Sequence, residues 1–136
     1  MRRTRILGVG MYLPEREITN QKLEAMEELQ TTDEWIRQRT GILTRRFVSE
    51  GQSGTDLALQ ASKEAIENAK LSPDDIDFII FATLSPDYFF PGNGCFLQDR
   101  LFGDRTIGAL DVRTQCSGFI YSLSLADSLI QTGQYE

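Results

Sequence analysis

Cys116 is the residue on which chemistry in this chain would centre. Before it runs the apolar stretch Ile107-Gly108-Ala109-Leu110-Asp111-Val112, which suits a buried strand. Directly after it come Ser117-Gly118-Phe119 and a helical pattern. Phe119, Leu123, Ala126 and Ile130 recur on one face, and Leu125 and Leu129 fill a second flank. A helix with so little polar surface is predicted to be buried. Gly133 stands where a helix stop belongs. A thiol at a helix N-terminus faces unpaired backbone N–H groups and the positive end of the helix dipole. Both favour the thiolate, which is the nucleophile. The alternative is a small buried cysteine with no reactive role. Cys95, inside another helical stretch, reads as packing.

A second pair is Trp35 and Arg39, four residues apart and so on one face of a helix. An indole beside a guanidinium offers a stacking surface and an anion ligand. The same spacing also fits a core Trp with Arg lying over it. Thr31-Thr32-Asp33-Glu34 reads as a capping box for this helix, with Thr31 as N-cap and Glu34 at the third position. Arg37 and Arg39 suit its last turn, and Gly41 can close it.

The 136 residues suffice for one domain with a real core. Charged residues make up 25% and the net charge is −6, which argues against a general phosphate-backbone binder. Local basic clusters remain, at Arg2, Arg3 and Arg5 and at Arg45 and Arg46. Two cysteines are too few for a disulfide framework. No apolar run reaches membrane-spanning length and the N-terminus lacks a signal-peptide core, so the expected setting is cytoplasmic. Histidine is absent, so any His-dependent step at Cys116 draws its base from outside these residues. The chain stops at Gln134-Tyr135-Glu136, where an α/β pattern places its next strand, and it reads as one half of something larger.

Residues 4–13 read as a first strand closed by Pro14-Glu15. Gly8-Val9-Gly10 is not a dinucleotide loop, because Leu13 replaces the third glycine and no helix follows directly. Thr19 or Asn20 can cap a helix running through Leu23, Met26 and Leu29. Residues 42–48 alternate like a half-exposed strand, and 55–69 form a helix rich in alanine. Ser72-Pro73-Asp74-Asp75 opens a turn with proline first. Residues 78–83 are continuously apolar, as in a parallel strand covered on both faces. Asp87-Tyr88-Phe89-Phe90-Pro91 is an aromatic loop, and 93–102 a helix. The order β-α-α-β-α-β-α-β-α argues for an α/β fold with a mixed, largely parallel sheet. Such sheets place ligands at the C-terminal ends of their strands, where Cys116 falls.

With these segments in order, the chain resembles β-ketoacyl-acyl carrier protein synthase III, of the thiolase fold. Asp111-Val112-Arg113-Thr114-Gln115-Cys116-Ser117-Gly118-Phe119 is similar to that family's active-site segment. Asp33-Glu34-Trp35-Ile36 and Arg39-Thr40-Gly41-Ile42 are similar to its D-E-W-I-x-x-R-T-G-I signature. Met11-Tyr12-Leu13-Pro14-Glu15, Thr19-Asn20, Ala82-Thr83-x-Ser85 and Phe90-Pro91 fall in family order. The resemblance implies an α/β, thiolase-like fold, a layered α-β-α unit, with residues 1–136 as its N-terminal half and the C-terminal half absent. It implies a decarboxylative Claisen condensation of acyl-coenzyme A with malonyl-acyl carrier protein through an acyl thioester on Cys116, initiating fatty acid synthesis. By the same resemblance, Trp35 and Arg39 hold the coenzyme A nucleotide and Thr31 adds a contact. Phe90 reaches across a homodimer to line the partner's acyl pocket. Acyl carrier protein and acyl-coenzyme A are the expected partners, with no cofactor, metal, nucleic acid or membrane.

Two departures bear on function. The His and Asn that complete the family's site have no counterpart here. The residues before the nucleophile are often small in the family, yet here they are Arg113, Thr114 and Gln115. Related condensing or acyl-transfer enzymes of secondary metabolism, making polyketide starters, quinolones or esters, therefore remain open, as does a non-catalytic half-fold scaffold. Gln115-Cys116-Ser117-Gly118 also resembles the caspase signature, but without its middle alanine and without a histidine.

Overall fold

The computed structural model describes residues 3–135, so Arg2 of the basic cluster and Glu136 lie outside them. The chain divides into two compact units, Leu13–Gln52 and a larger one made of Met1–Tyr12 with Ser53–Glu136.

In the smaller unit, the buried side chain of Asn20 binds three separate parts of the chain. Strand β1 (Arg16–Thr19) pairs antiparallel with β2 (Thr44–Phe47), Arg16 opposite Phe47 and Thr19 opposite Thr44. Helix α1 (Asn20–Glu24) follows β1 directly, with the Thr19 hydroxyl accepting the Lys22 N–H at 3.3 Å. The Asn20 amide donates to the Asp33 carboxylate and to the Ile42 carbonyl, both at 2.8 Å. Its oxygen accepts from Arg45 at 2.6 Å, and the same guanidinium reaches the Ile18 carbonyl at 3.2 Å. A buried amide with these partners satisfied is cheap to keep, whereas removing one partner strands a polar group. Ile18 and Ile36 supply the buried apolar contacts beside it.

Two expectations change in this unit. α1 ends at Glu24, short of Met26 and Leu29, because the chain enters tight turns there, Met26 N–H to Leu23 and Leu29 N–H to Met26. The capping box on Thr31 is displaced by one residue. Helix α2 (Asp33–Thr40) has Thr32 as N-cap, its hydroxyl accepting the Trp35 N–H at 3.1 Å. The third helical position is therefore Trp35, which cannot reciprocate, and Glu34 accepts from Gln38 instead. Gly41 closes α2 in the left-handed conformation, φ 71°.

The larger unit carries the alanine-rich helix α3 (Gly54–Asn68), begun by a reciprocal cap between Ser53 and Asp56. A single helical turn at Pro73–Asp75 leads into β3 (Phe78–Ala82). Then come α4 (Asn93–Phe102), β4 (Gly108–Val112) and α5 (Gly118–Gln131). β3 and β4 pair in parallel, Phe78 opposite Gly108 and Ala82 opposite Val112, as the apolar run predicted. Parallel neighbours require a crossover, and α4 provides it.

Residues 4–13 form no strand. Their backbone lies instead against α3, where a Cβ on Gly10 would fall 2.1 Å from the Ala61 carbonyl oxygen and one on Gly8 2.3 Å from that of Ala65. Side chains of α3 take the hydrogen bonds a neighbouring strand would otherwise take. Glu64 accepts the Met11 N–H at 2.7 Å and Asn68 donates to the Val9 carbonyl at 2.8 Å.

The second correction concerns burial. α5, expected to be buried, leaves Phe119, Ile120 and Tyr121 about 60% exposed, and only its Gly118 and Ser122 are buried. The stripe Phe119, Leu123, Ala126, Ile130 lines an apolar groove of about 700 Å³ shared with Phe78 and Ile80. β3 likewise buries only Ile79 fully. The reason is a shortage of layers: α5 meets β3 and β4 on one side, and no element of the described residues covers its other sides. α5 ends as predicted, with Gly133 at φ 77° and paired bonds from Gly133 to Ile130 and Gln134 to Leu129.

Candidate functional site

β4 delivers the chain to a tight turn that presents Cys116. After Val112 the strand ends, and Gln115–Ser117 make a single 3₁₀ turn that runs straight into α5. The turn is closed on the Thr114 carbonyl, which accepts the Ser117 N–H at 3.2 Å and the Ser117 hydroxyl at 2.6 Å. Gln115, just ahead of the cysteine, has φ 49°, a left-handed conformation that side chains rarely adopt. α5 starts close to the sheet, with the Cβ position of Gly118 at ordinary contact distance, 3.5 Å, from the Ala82 Cβ. Cys116 is exposed, so its sulfur is not sealed in packing. It stands where a parallel strand ends and a helix begins, the place at which α/β sheets gather ligands.

Cys95 is exposed as well, which corrects its reading as a packing residue. α4 turns Asn93, Gly94 and Leu97 inward, and Cys95 falls on the other side.

The aromatic loop after β3 is fastened at three points. Asp87 accepts the N–H groups of Gly54 and Thr55, each at 2.8 Å, and the Thr55 hydroxyl at 2.5 Å. Burial opposes ionisation of Asp87, but the Thr55 and Gly54 donors outweigh it and hold the carboxyl below its usual range. The Asp87 N–H donates to the buried Asn93 side chain at 2.9 Å. Finally, Arg113 from the cysteine turn donates to the Phe89 carbonyl at 2.9 Å, its guanidinium 5.4 Å from the Phe89 ring centre. Held in this way, Phe89 and Phe90 project 83% and 89% exposed.

In the smaller unit, Trp35 is 56% exposed, so the core alternative for it does not hold. Arg39, one turn further along α2, is exposed too, and among the described residues it forms no ion pair, whereas Arg37 pairs with Asp33 at 3.6 Å. Thr31 precedes the cap with its hydroxyl buried and unpartnered. The structure thus brings Cys116, Arg113 and the aromatic loop together in one unit, and Thr31, Trp35 and Arg39 in the other. Sequence reasoning missed Asp87, Asn93 and Arg113. For Asp87 and Asn93 no short pattern pointed to them. For Arg113 the signal was its bulk where small residues were expected.

Residues 110–136, the β4–turn–α5 segment, match the family described as 3-oxoacyl-[acyl-carrier-protein (ACP)] synthase III. The chain is 48% identical over 130 residues to the β-ketoacyl-[acyl-carrier-protein] synthase III of Caldanaerobacter subterraneus, covering 96% of this chain and 38% of that protein. It is 46% identical over 134 residues to the Clostridium perfringens protein of the same description, covering 98% and 40%. The crystal structure of the Aquifex aeolicus 3-oxoacyl-[acyl-carrier-protein] synthase III superposes with a TM-score of 0.87 at 45% identity, covering 95% of this chain and 41% of that one. Mixed α/β, with a cysteine turn between parallel strand and helix, the fold is that of the thiolase-like condensing enzymes. Within that class the relatives it matches are β-ketoacyl-acyl carrier protein synthases III, and the chain spans about two fifths of their length. Among the described residues no helix is long and apolar enough to cross a membrane.

Proposed function

We propose that the protein carrying this chain is an acyltransferase that starts fatty acid synthesis by decarboxylative condensation. The Cys116 thiolate attacks the carbonyl carbon of an acyl-coenzyme A, and coenzyme A leaves as the thiol after taking up a proton. Malonyl-acyl carrier protein then loses carbon dioxide. The enolate carbon left behind attacks the acyl-Cys116 carbonyl, the C–S bond breaks, and β-ketoacyl-acyl carrier protein departs with the thiolate restored. Splitting one hard acyl transfer into two thioester steps is what a cysteine nucleophile provides. The backbone N–H of Cys116, at the positive end of α5, is a donor for the oxyanion that forms in each step.

The observation that carries this reading is the exposed Cys116 on its turn between β4 and α5. Exposure of Trp35 and Arg39 supports their role in gripping the coenzyme A nucleotide, with Thr31 beside them. The projecting Phe90 suits an acyl-pocket wall reached from a partner subunit. The uncovered sides of α5 and β3 support a second half of the fold lying over them and bringing the histidine and asparagine. The bulky Arg113-Thr114-Gln115 favours one second reading, a related condensing enzyme of secondary metabolism that uses the same acyl-cysteine step.

Incubating the native protein with acyl-coenzyme A should add one acyl mass to the peptide containing Cys116, seen by mass spectrometry. An unchanged adduct in Cys116→Ala would reject the assignment.

A further inference from the structure

We propose that Arg113 is a positioning residue that sets acyl-chain selectivity by tying the aromatic loop to the nucleophile's turn. Arg113 lies three residues before Cys116, and its guanidinium binds the loop tip twice over, by the hydrogen bond to the Phe89 carbonyl and by its place above the Phe89 ring. The rest of the loop is anchored elsewhere. Asp87 is held on the first residues of α3, and Asn93 holds the Asp87 N–H. The N–H groups of Asn93 and Gly94 are in turn bound by the carboxylate of Asp111 on β4, at 2.8 Å each. The loop is therefore fixed at its middle and its end, while Phe89 and Phe90, beyond Asp87, project almost fully exposed.

Arg113 is the contact that holds that tip to the turn carrying Cys116, and so fixes the Phe90 wall offered to the partner subunit's pocket. A guanidinium suits the task. It is always charged, it donates in a fixed plane, and the same plane lies against an aromatic face. Lysine offers the charge without the plane. The selectivity part of the proposal rests on the reading of Cys116 as acyl carrier and Phe90 as pocket wall, whereas the clasp itself does not.

Two measurements separate them. Hydrogen exchange in residues 84–90 should quicken by about threefold to tenfold in Arg113→Ala, the range one lost hydrogen bond allows, with exchange in α3 unmoved. Arg113→Lys should fall between the two. Unchanged exchange in the loop would overturn the clasp whatever the enzyme does. The second measurement compares kcat/KM for two-, four- and eight-carbon acyl-coenzyme A donors in both variants. A changed ratio between donors, partly restored by lysine, is expected. A uniform drop across all donors would overturn the selectivity role. Should the unaltered protein form no acyl adduct on Cys116, the functional reading fails, and the exchange result still decides the clasp.

Discussion

Asp111 caps the helix that precedes its own strand. Its Oδ1 accepts the Gly94 N–H at 2.8 Å, and a Cβ on Gly94 would stand 2.9 Å from that same oxygen. The hydrogen bond and the missing side chain are thus one feature, since only glycine lets the carboxylate approach.

Gly94→Ala should therefore destabilise the protein by about 1–3 kcal/mol, through overpacking against Asp111 and Ala109. Asp111→Ala should cost about 1–3 kcal/mol by stranding two helix N–H groups. Asp111→Asn, which retains one acceptor, should cost less. Chemical denaturation midpoints test all three, and equal losses for Asn and Ala would contradict the cap.

The left-handed Gln115, φ 49°, makes a backbone prediction. Gln115→Val should lower stability by about 1–2 kcal/mol, because a β-branched side chain tolerates that region poorly. Gln115→Gly should be neutral or stabilising. Thermal melting of both variants distinguishes strain from a lost side-chain contact, which would make glycine the worse of the two.

Trp35→Ala should raise KM for acyl-coenzyme A by about tenfold while kcat changes by less than about twofold, because stacking binds ground and transition states alike. Acyl-acyl carrier protein donors, which present no adenine, should be unaffected. Equal loss with both donors in steady-state kinetics would count against the nucleotide role.

Acid stability should depend on Asp56. The Ser53 backbone and side-chain hydrogen bonds, followed by Arg100, hold its carboxyl down at about 2, below the ordinary 3.8. A depressed folded-state value contributes stability that is present above about 3.8 and lost as pH falls toward about 2. In Asp56→Asn the melting temperature should fall less steeply across that window than in the parent. An identical acid limb in the two would show that the cap on α3 does not titrate.

Much of this molecule was legible in its residues because the signals act over a few positions. The order of elements from α1 onward, the proline turn, the glycine stops of α2 and α5, and the cysteine between strand and helix all follow from local pattern and capping, whereas the first strand falls at Arg16–Thr19 and not at residues 4–13. The reciprocal Ser53–Asp56 cap went unread although its spacing is local, and the one-residue shift from Thr31 to Thr32 shows how finely such caps are placed. Tertiary structure alone decided the contacts between distant residues. Residues 4–13 carry a strand-like pattern, yet they lie on α3 because two glycines let the backbone press against its alanines. Arg113 meets Phe89 across 24 positions and Asp87 meets Thr55 across 32. Propensity says how each stretch bends, but only the path of the folded chain brings such partners together. For that reason the cysteine was visible in the sequence, and the loop clasped beside it was not.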